Sequence, residues 1–177
     1  MTITNIALRE AGAADFQAIV DLNAGEVQHT SPMDMERLRH LDRLAAYHVV
    51  AVIESEVAAF LFAMREGCAY QNDNYAWFSE RYPSFLYIDR IVVNATFADL
   101  GIGSLLYQHM FNYASSNDIG AVTCEYNLVP ANDRSGRFHT KFGFNEVGTQ
   151  WLDNKSKQVS LQAAPAPHAH RAPARSR

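Results

Sequence analysis

The stretch Leu86-Tyr87-Ile88-Asp89-Arg90-Ile91-Val92-Val93, followed after a short loop by Asp99-Leu100-Gly101-Ile102-Gly103-Ser104, decides how this chain is read. Phe85 to Val93 is the most strand-like segment in the sequence, rich in β-branched and aromatic side chains and broken only by Asp89 and Arg90. The second segment opens a helix, Gly101 to Tyr113, whose apolar face carries Leu105, Leu106, Met110 and Tyr113. Two glycines one residue apart let the backbone approach a ligand closely, and a helix start offers unpaired N–H groups and the positive end of the dipole to phosphate oxygens. Taken alone, Gly-x-Gly reads equally well as an ordinary strand-to-helix turn. A nucleotide P-loop would need a lysine after the glycines, and none follows. A dinucleotide fingerprint would need a third glycine where Leu106 stands.

Working outward, Ile3 to Arg9 alternates as a strand and Ala13 to Leu22 has helical spacing. Asn23 to Pro32 is a polar loop, and Met35 to Ala45 is a second amphipathic helix. His48 to Glu54 and Val57 to Ala63 form a hairpin. Arg65 to Pro83 is a long aromatic connection with one helical turn around Tyr75 to Arg81, and loops of such length tend to be functional or disordered. After the glycine helix come a strand at Ala121 to Leu128, a helix at Ala131 to Phe142, and strands at Asn145 to Leu152 and Lys155 to Leu161 joined at Asp153-Asn154. The order β-α-α-β-β-β-α-β-α-β-β predicts an α/β (α+β) fold, a single domain with a mixed central sheet of about seven strands and flanking helices.

The 177 residues suit one domain, and a hydrophobic content of 48% supports a sizeable core. The net charge of −4 is uneven: residues 163–177 hold three arginines and no acid, which leaves 12 basic against 19 acidic groups in residues 1–162. That surplus excludes the broad basic face needed for nucleic acid or anionic membrane. The expected domain is residues 1–162, with an Ala/Pro/Arg tail at 163–177 that has little to bury and is expected to be disordered. Cys68 and Cys124 are far apart and lack CxxC spacing, so neither zinc nor a disulfide framework is expected. His168 and His170 have no neighbouring ligands, and no metal is expected. With no basic-then-apolar start and no apolar run near ~20 residues, a cytoplasmic, reduced setting without membrane insertion is the expectation.

The segments Thr123-Cys124-Glu125 and Asn132 through His139-Thr140-Lys141-Phe142-Gly143-Phe144 complete a pattern with the glycine motif. Apolar strand, x-x-Gly-x-Gly at a helix start, a Glu-bearing strand, then an Asn-led helix ending in x-Lys-x-Gly-Phe resembles the GNAT superfamily of acyl-CoA-dependent N-acyltransferases over most of residues 3–161. Phe85 to Val93 and Phe138 to Gly148 resemble bacterial members in particular. The resemblance implies acetyl-CoA as acyl donor and a strand ending at Val93 that splays from the Glu125 strand. Pantetheine would lie between them against backbone groups near Ile91 and Val93, with a backbone N–H at or near Val92 polarising the thioester carbonyl. Amides of Asp99, Leu100, Gly101, Ile102, Gly103 and Ser104 would cradle the pyrophosphate, and Asn132 would contact pantetheine.

An amine with a pKa near ~10 must lose a proton before it attacks. The resemblance assigns that proton to Glu125, with a surface or ion-paired glutamate as the bland alternative. Asp89 is a second candidate, although Arg90 beside it suggests a structural ion pair. The leaving thiolate is protonated in many members by a tyrosine that here is His139, a side chain able to donate near its ordinary pKa of ~6.5. Tyr107 and Tyr126 are stand-ins. Ala98 and Leu100 occupy positions that often carry basic or amide side chains in the superfamily, which leaves Arg134 and Arg137 as candidate compensating charges. Acceptor recognition is expected from the Asn23–Pro32 loop (Glu26, His29, Ser31) and the Tyr70–Tyr82 loop. The implied activity is transfer of acetyl to a primary amine of a small molecule or peptide N-terminus by direct attack. The alternative is a non-catalytic acyl-CoA sensor of the same fold, and a homodimer is left open.

Overall fold

The computed structural model describes residues 5–26 and 30–166. Its strands are Ile6–Glu10 (β1), Tyr47–Ile53 (β2), Glu56–Arg65 (β3), Phe85–Val93 (β4), Ala121–Val129 (β5), Asn145–Leu152 (β6) and Lys157–Pro165 (β7). Its α-helices are Phe16–Gly25 (α1), Met35–Leu44 (α2), Asp73–Ser79 (α3), Ile102–Ser116 (α4) and Asp133–Lys141 (α5). One seven-stranded sheet runs in the order β1-β2-β3-β4-β5-β7-β6, and among the described residues only β4 and β5 pair in parallel. This is the mixed α/β domain that the element order predicts.

The sheet is covered on both faces, which is why β3 and β4 read as nearly continuous apolar runs. Ile102, Leu106, Tyr107 and Met110 of α4 pack with Leu61, Leu86, Ile88 and Val122 on one side. Ile19 of α1, Leu38 and Leu41 of α2, and Phe78 of α3 pack with Phe60, Phe62, Phe85 and Tyr87 on the other. The long connection holds a true helix, α3, capped by Asn72, whose Oδ1 accepts from the Tyr75 N–H at 3.0 Å. Tyr75 and Phe78 drive it onto the sheet, so most of that aromatic segment is core.

The last strand runs past the expected boundary at residue 162. Ala163 pairs with Thr123 of β5 and with Asn145 of β6, and Ala164 and Ala166 are buried. The Ala/Pro composition that looks like low complexity here continues a strand paired with β5 as far as Pro165. The remainder of the tail, residues 167–177, lies outside the described residues, as does the expected start of the first strand at Ile3.

Two irregularities set up the site. The β4–β5 ladder joins only Phe85 with Ala121, Leu86 with Val122 and Tyr87 with Thr123, and the strands part beyond. On its other side β4 carries an extra residue, because Phe62 faces Arg90 whereas Ala63 faces Ile88. Asp89 is the bulged residue, and the bulge turns Asp89 and Arg90 toward the same face. Leu106, fully buried on α4, fixes the helix that carries the glycine loop. Leu106→Ala is expected to cost about 2–5 kcal/mol, read as a lower midpoint at unchanged slope in urea unfolding.

Candidate active site

Beyond Tyr87, where β4 and β5 part, a cleft of about 560 Å³ lies between β4, the glycine loop and α5. Ile91, Val92, Val93, Asp99, Gly101, Ile102, Gly103, Ser104 and Asn132 all line it, as does Ala98. Leu100 does not; its side chain is 45% exposed. The Asn94 N–H donates to Ala58 at 2.8 Å, and the antiparallel alternation then directs Val92 at β3 as well. Ile91 and Val93 consequently turn their N–H and C=O groups toward the gap. The N–H expected at Val92 is thereby committed to the sheet, and a donor into the gap must come from Ile91 or Val93.

At the far end, Asp99 (φ 66°) and Gly101 (φ 75°) lie in the left-handed region and fold the chain into the start of α4. The backbone N–H groups of Leu100 through Ser104 find no acceptor among the described residues. Such a row of unpaired amides at a helix start suits the oxygens of a diphosphate. Of the two arginines considered as compensating charge, Arg134 lines the cleft and Arg137 faces a separate groove. Lys141, the last residue of α5, reaches α4, where its Nζ donates to Ser104 Oγ at 3.2 Å.

A second cavity of about 270 Å³ adjoins the cleft, sharing Thr30, Ile91, Asn132 and Ser135 with it. Glu125, Asp89 and His139 line it, with Tyr70, Asn72, Tyr107 and Tyr126. Tyr87 O–H donates to Glu125 Oε1 at 3.0 Å, while Oε2 is buried without a partner. Burial, reinforced by the charge of Asp89 and opposed by Tyr87, the nearby Asn74 amide and Lys157, pushes the Glu125 pKa up to about 7. Asp89 is differently placed. Tyr70 O–H donates to Oδ1 and Arg90 Nε donates to Oδ2 at 3.2 Å, so structural partners occupy both oxygens. Arg90, itself buried, continues to Asn23 Oδ1 at 2.6 Å and the Ser31 carbonyl at 2.8 Å, tying the bulge to α1 and the following loop.

His139 is buried on α5. Its Nδ1–H donates to the Ser135 carbonyl at 2.7 Å, which leaves Nε2 to accept from Tyr107 O–H at 3.0 Å. Burial lowers its pKa, so the ring is neutral at pH 7. A proton donor there would have to be imidazolium, and this geometry instead makes His139 an acceptor that orients Tyr107. Tyr126 stacks on the His139 ring at 14° between planes, an approach Gly136 permits because a Cβ there would sit 3.0 Å from the tyrosine ring. Asn132 spends its Oδ1 as the cap of α5, accepting from the Ser135 N–H at 3.2 Å. Of the two expected acceptor loops, Thr30, Ser31, Pro32 and Tyr70 line the second cavity, whereas Glu26 lines the cleft. His29 lies outside the described residues. Arg37 and Lys157, which no sequence signal marks, also line the second cavity.

The acetyltransferase (GNAT) family profile matches residues 14–144, and the chain belongs to that family. No curated protein sequence matches it significantly. Among solved structures, Ard1 from Thermoplasma volcanium is similar at 16% identity and a TM-score of 0.74, covering 92% of this chain and 99% of that one. The ribosomal-protein-S18-alanine N-acetyltransferase from Escherichia coli is similar at 13% identity and a TM-score of 0.71, over 94% and 97% of the two chains. YncA from Salmonella typhimurium, solved with its cofactor acetyl-CoA, is similar at 16% and 0.70, over 98% and 100%. At such identities the likeness is one of fold. Among the described residues no cluster of His, Cys, Asp or Glu could hold a metal, and no helix is long and apolar enough to cross a membrane.

The raised Glu125 pKa has a consequence for stability. Between the ordinary glutamate value near ~4.3 and about 7, the unfolded chain has released this proton and the folded chain has not. Folding stability therefore falls as pH rises through that window and stays lowered above it. Glu125→Gln is expected to raise the melting temperature relative to wild type at pH 8 and to lose most of that advantage at pH 4.5; thermal scans at both values check it.

Proposed function

We propose that this protein is an N-acetyltransferase that moves the acetyl group of acetyl-CoA to a primary amine by direct attack. The observation that carries the reading is a carboxyl, Glu125, held by Tyr87 and lining a polar cavity that adjoins a cleft with a row of unpaired amides. The residues present fit acetyl-CoA. Ile91, Val93, Ile102 and Phe138 offer apolar walls and free backbone groups for pantetheine, and the Leu100–Ser104 amides with Arg134 suit the diphosphate. When bound, acetyl-CoA supplies an activated acyl group.

Glu125 takes the proton of the incoming ammonium. With a pKa of about 7 it is half ionised at neutral pH and free to accept on Oε2, while Tyr87 holds Oε1 in place. The N–H of Ile91 or Val93 polarises the thioester carbonyl as negative charge develops on its oxygen; as the amide C–N bond forms the thioester C–S bond breaks, and the second amine proton goes to the departing thiolate. Asp89 and Arg90 hold the bulge that aims those groups, and the Tyr107–His139 pair orders the cavity wall. Cys124, buried with its thiol pushed well above its ordinary value, is no nucleophile, which favours direct transfer over an acyl-enzyme.

Acetyl-CoA at a hundred times its Kd is expected to stabilise the fold by about 2.7 kcal/mol, seen as a rise in melting temperature. No rise at millimolar ligand would remove the reading, and thiol release with amines separates an enzyme from a sensor. In wild type, kcat/KM is expected to climb with pH through an inflection near 7. Glu125→Gln should abolish that inflection and lower kcat roughly 10²–10⁴-fold. A variant with an unchanged pH profile would take the base role away from Glu125.

A further inference from the structure

We infer that the acceptor is a small amine that also carries an acidic group, a carboxylate, phosphinate or phosphonate, bound by Arg37 and Lys157. The inference rests on the N-acetyltransferase reading above and adds the substrate class. The cavity holds three cationic side chains, and they differ in one respect. Arg90 is ion-paired to Asp89 and hydrogen-bonded to Asn23 and Ser31. Arg37, exposed at the cavity mouth on the first turn of α2, has its guanidinium carbon 5.9 Å from the Tyr70 ring centroid and no carboxylate within salt-bridge distance among the described residues. Lys157, half-buried at the start of β7, is close enough to Glu125 to favour its ionised form, yet makes no ion pair either.

Acids outnumber bases in this chain, 19 to 15, yet neither cation makes a salt bridge among the described residues, and the only carboxyl whose ionisation Lys157 favours is Glu125 itself. A half-buried ammonium without a partner is costly, and a bound oxyanion would relieve that cost. The same cavity presents Glu125 to an ammonium group. Its polar lining thus complements a zwitterion. The volume of about 270 Å³ lies below the usual range for drug-sized ligands, which points to a molecule of amino-acid size. At a peptide N-terminus the α-carboxylate has become an amide, and both cations would still lack a partner.

The test is thiol release from acetyl-CoA with matched amines: L-phenylalanine against phenethylamine, L-leucine against isopentylamine, and 2-aminoethylphosphonate against ethylamine. The acid-bearing member of a pair is expected to have a kcat/KM roughly tenfold to a hundredfold higher. Arg37→Gln and Lys157→Gln should each pull that ratio down roughly tenfold, chiefly through KM. Equal or better turnover of plain amines or of amide-capped dipeptides overturns the inference. So does a ratio unmoved by both variants, or no turnover of any acid-bearing amine by protein that acetyl-CoA stabilises. Failure of acetyl-CoA to stabilise the protein would instead remove the N-acetyltransferase reading beneath it.

Discussion

Everything at the site follows from β4 losing its partner halfway along. Up to Tyr87 the strand is bonded on both sides; beyond it β3 still pairs while β5 has veered away, so Ile91 and Val93 keep backbone groups with nowhere to bond inside the sheet. Buried peptide groups are seldom left unpaired, because each forfeits about 1–3 kcal/mol relative to its hydrated state. A sheet tolerates such a gap only where something holds the strands apart and something else can bond to them. The bulge at Asp89 does the first. It directs two consecutive charged side chains to one face, where Arg90 is locked by Asp89, Asn23 and the Ser31 carbonyl and Asp89 by Tyr70.

The same network shapes the chemistry next door. Tyr87 sits one ladder position before the strands part, and the parallel register sets its phenol against the carboxyl of Glu125. Around them Tyr70, Tyr75, Phe78 and Phe85 form an aromatic cluster that excludes water and lifts the Glu125 pKa. The long connection between β3 and β4, which brings Tyr70 and α3 into that cluster, acts on function through its burial of other groups. On the opposite face Tyr107 and His139 satisfy one another, fixing the tautomer through the Ser135 carbonyl.

Much of this was legible from residues alone, for identifiable reasons. Phe85 to Val93 is covered on both faces, so its apolar run marks the strand to the residue. The loop at Asp99 to Ser104 depends on backbone geometry that glycine announces, and the cleft gathers nearly every residue expected of it. What local pattern could not carry were choices made by distant partners. Whether Asp89 was a base or a structural anion depended on Tyr70, and whether His139 was charged depended on Tyr107 and on burial. Arg37 and Lys157 come from α2 and β7, segments whose own periodicity is merely amphipathic or extended, and only the fold brings them to one cavity. Ala163 to Pro165 read as tail because compositional simplicity resembles disorder, whereas pairing with β5 carries the strand on to Pro165.

The parting of β4 and β5 also gives the sheet an edge inside its own span. An open sheet edge invites another chain to add a strand, and this fold has outer edges at β1 and β6. The gap adds an inner one, with bonding groups as available as those of any edge. Both rims of that inner edge belong to the same sheet, and helices cover its two faces. A neighbouring folded protein cannot bring its own strand there, whereas a slender, extended, amide-bearing molecule can. What can reach that inner edge is therefore set by the width of the gap and by the helices beside it.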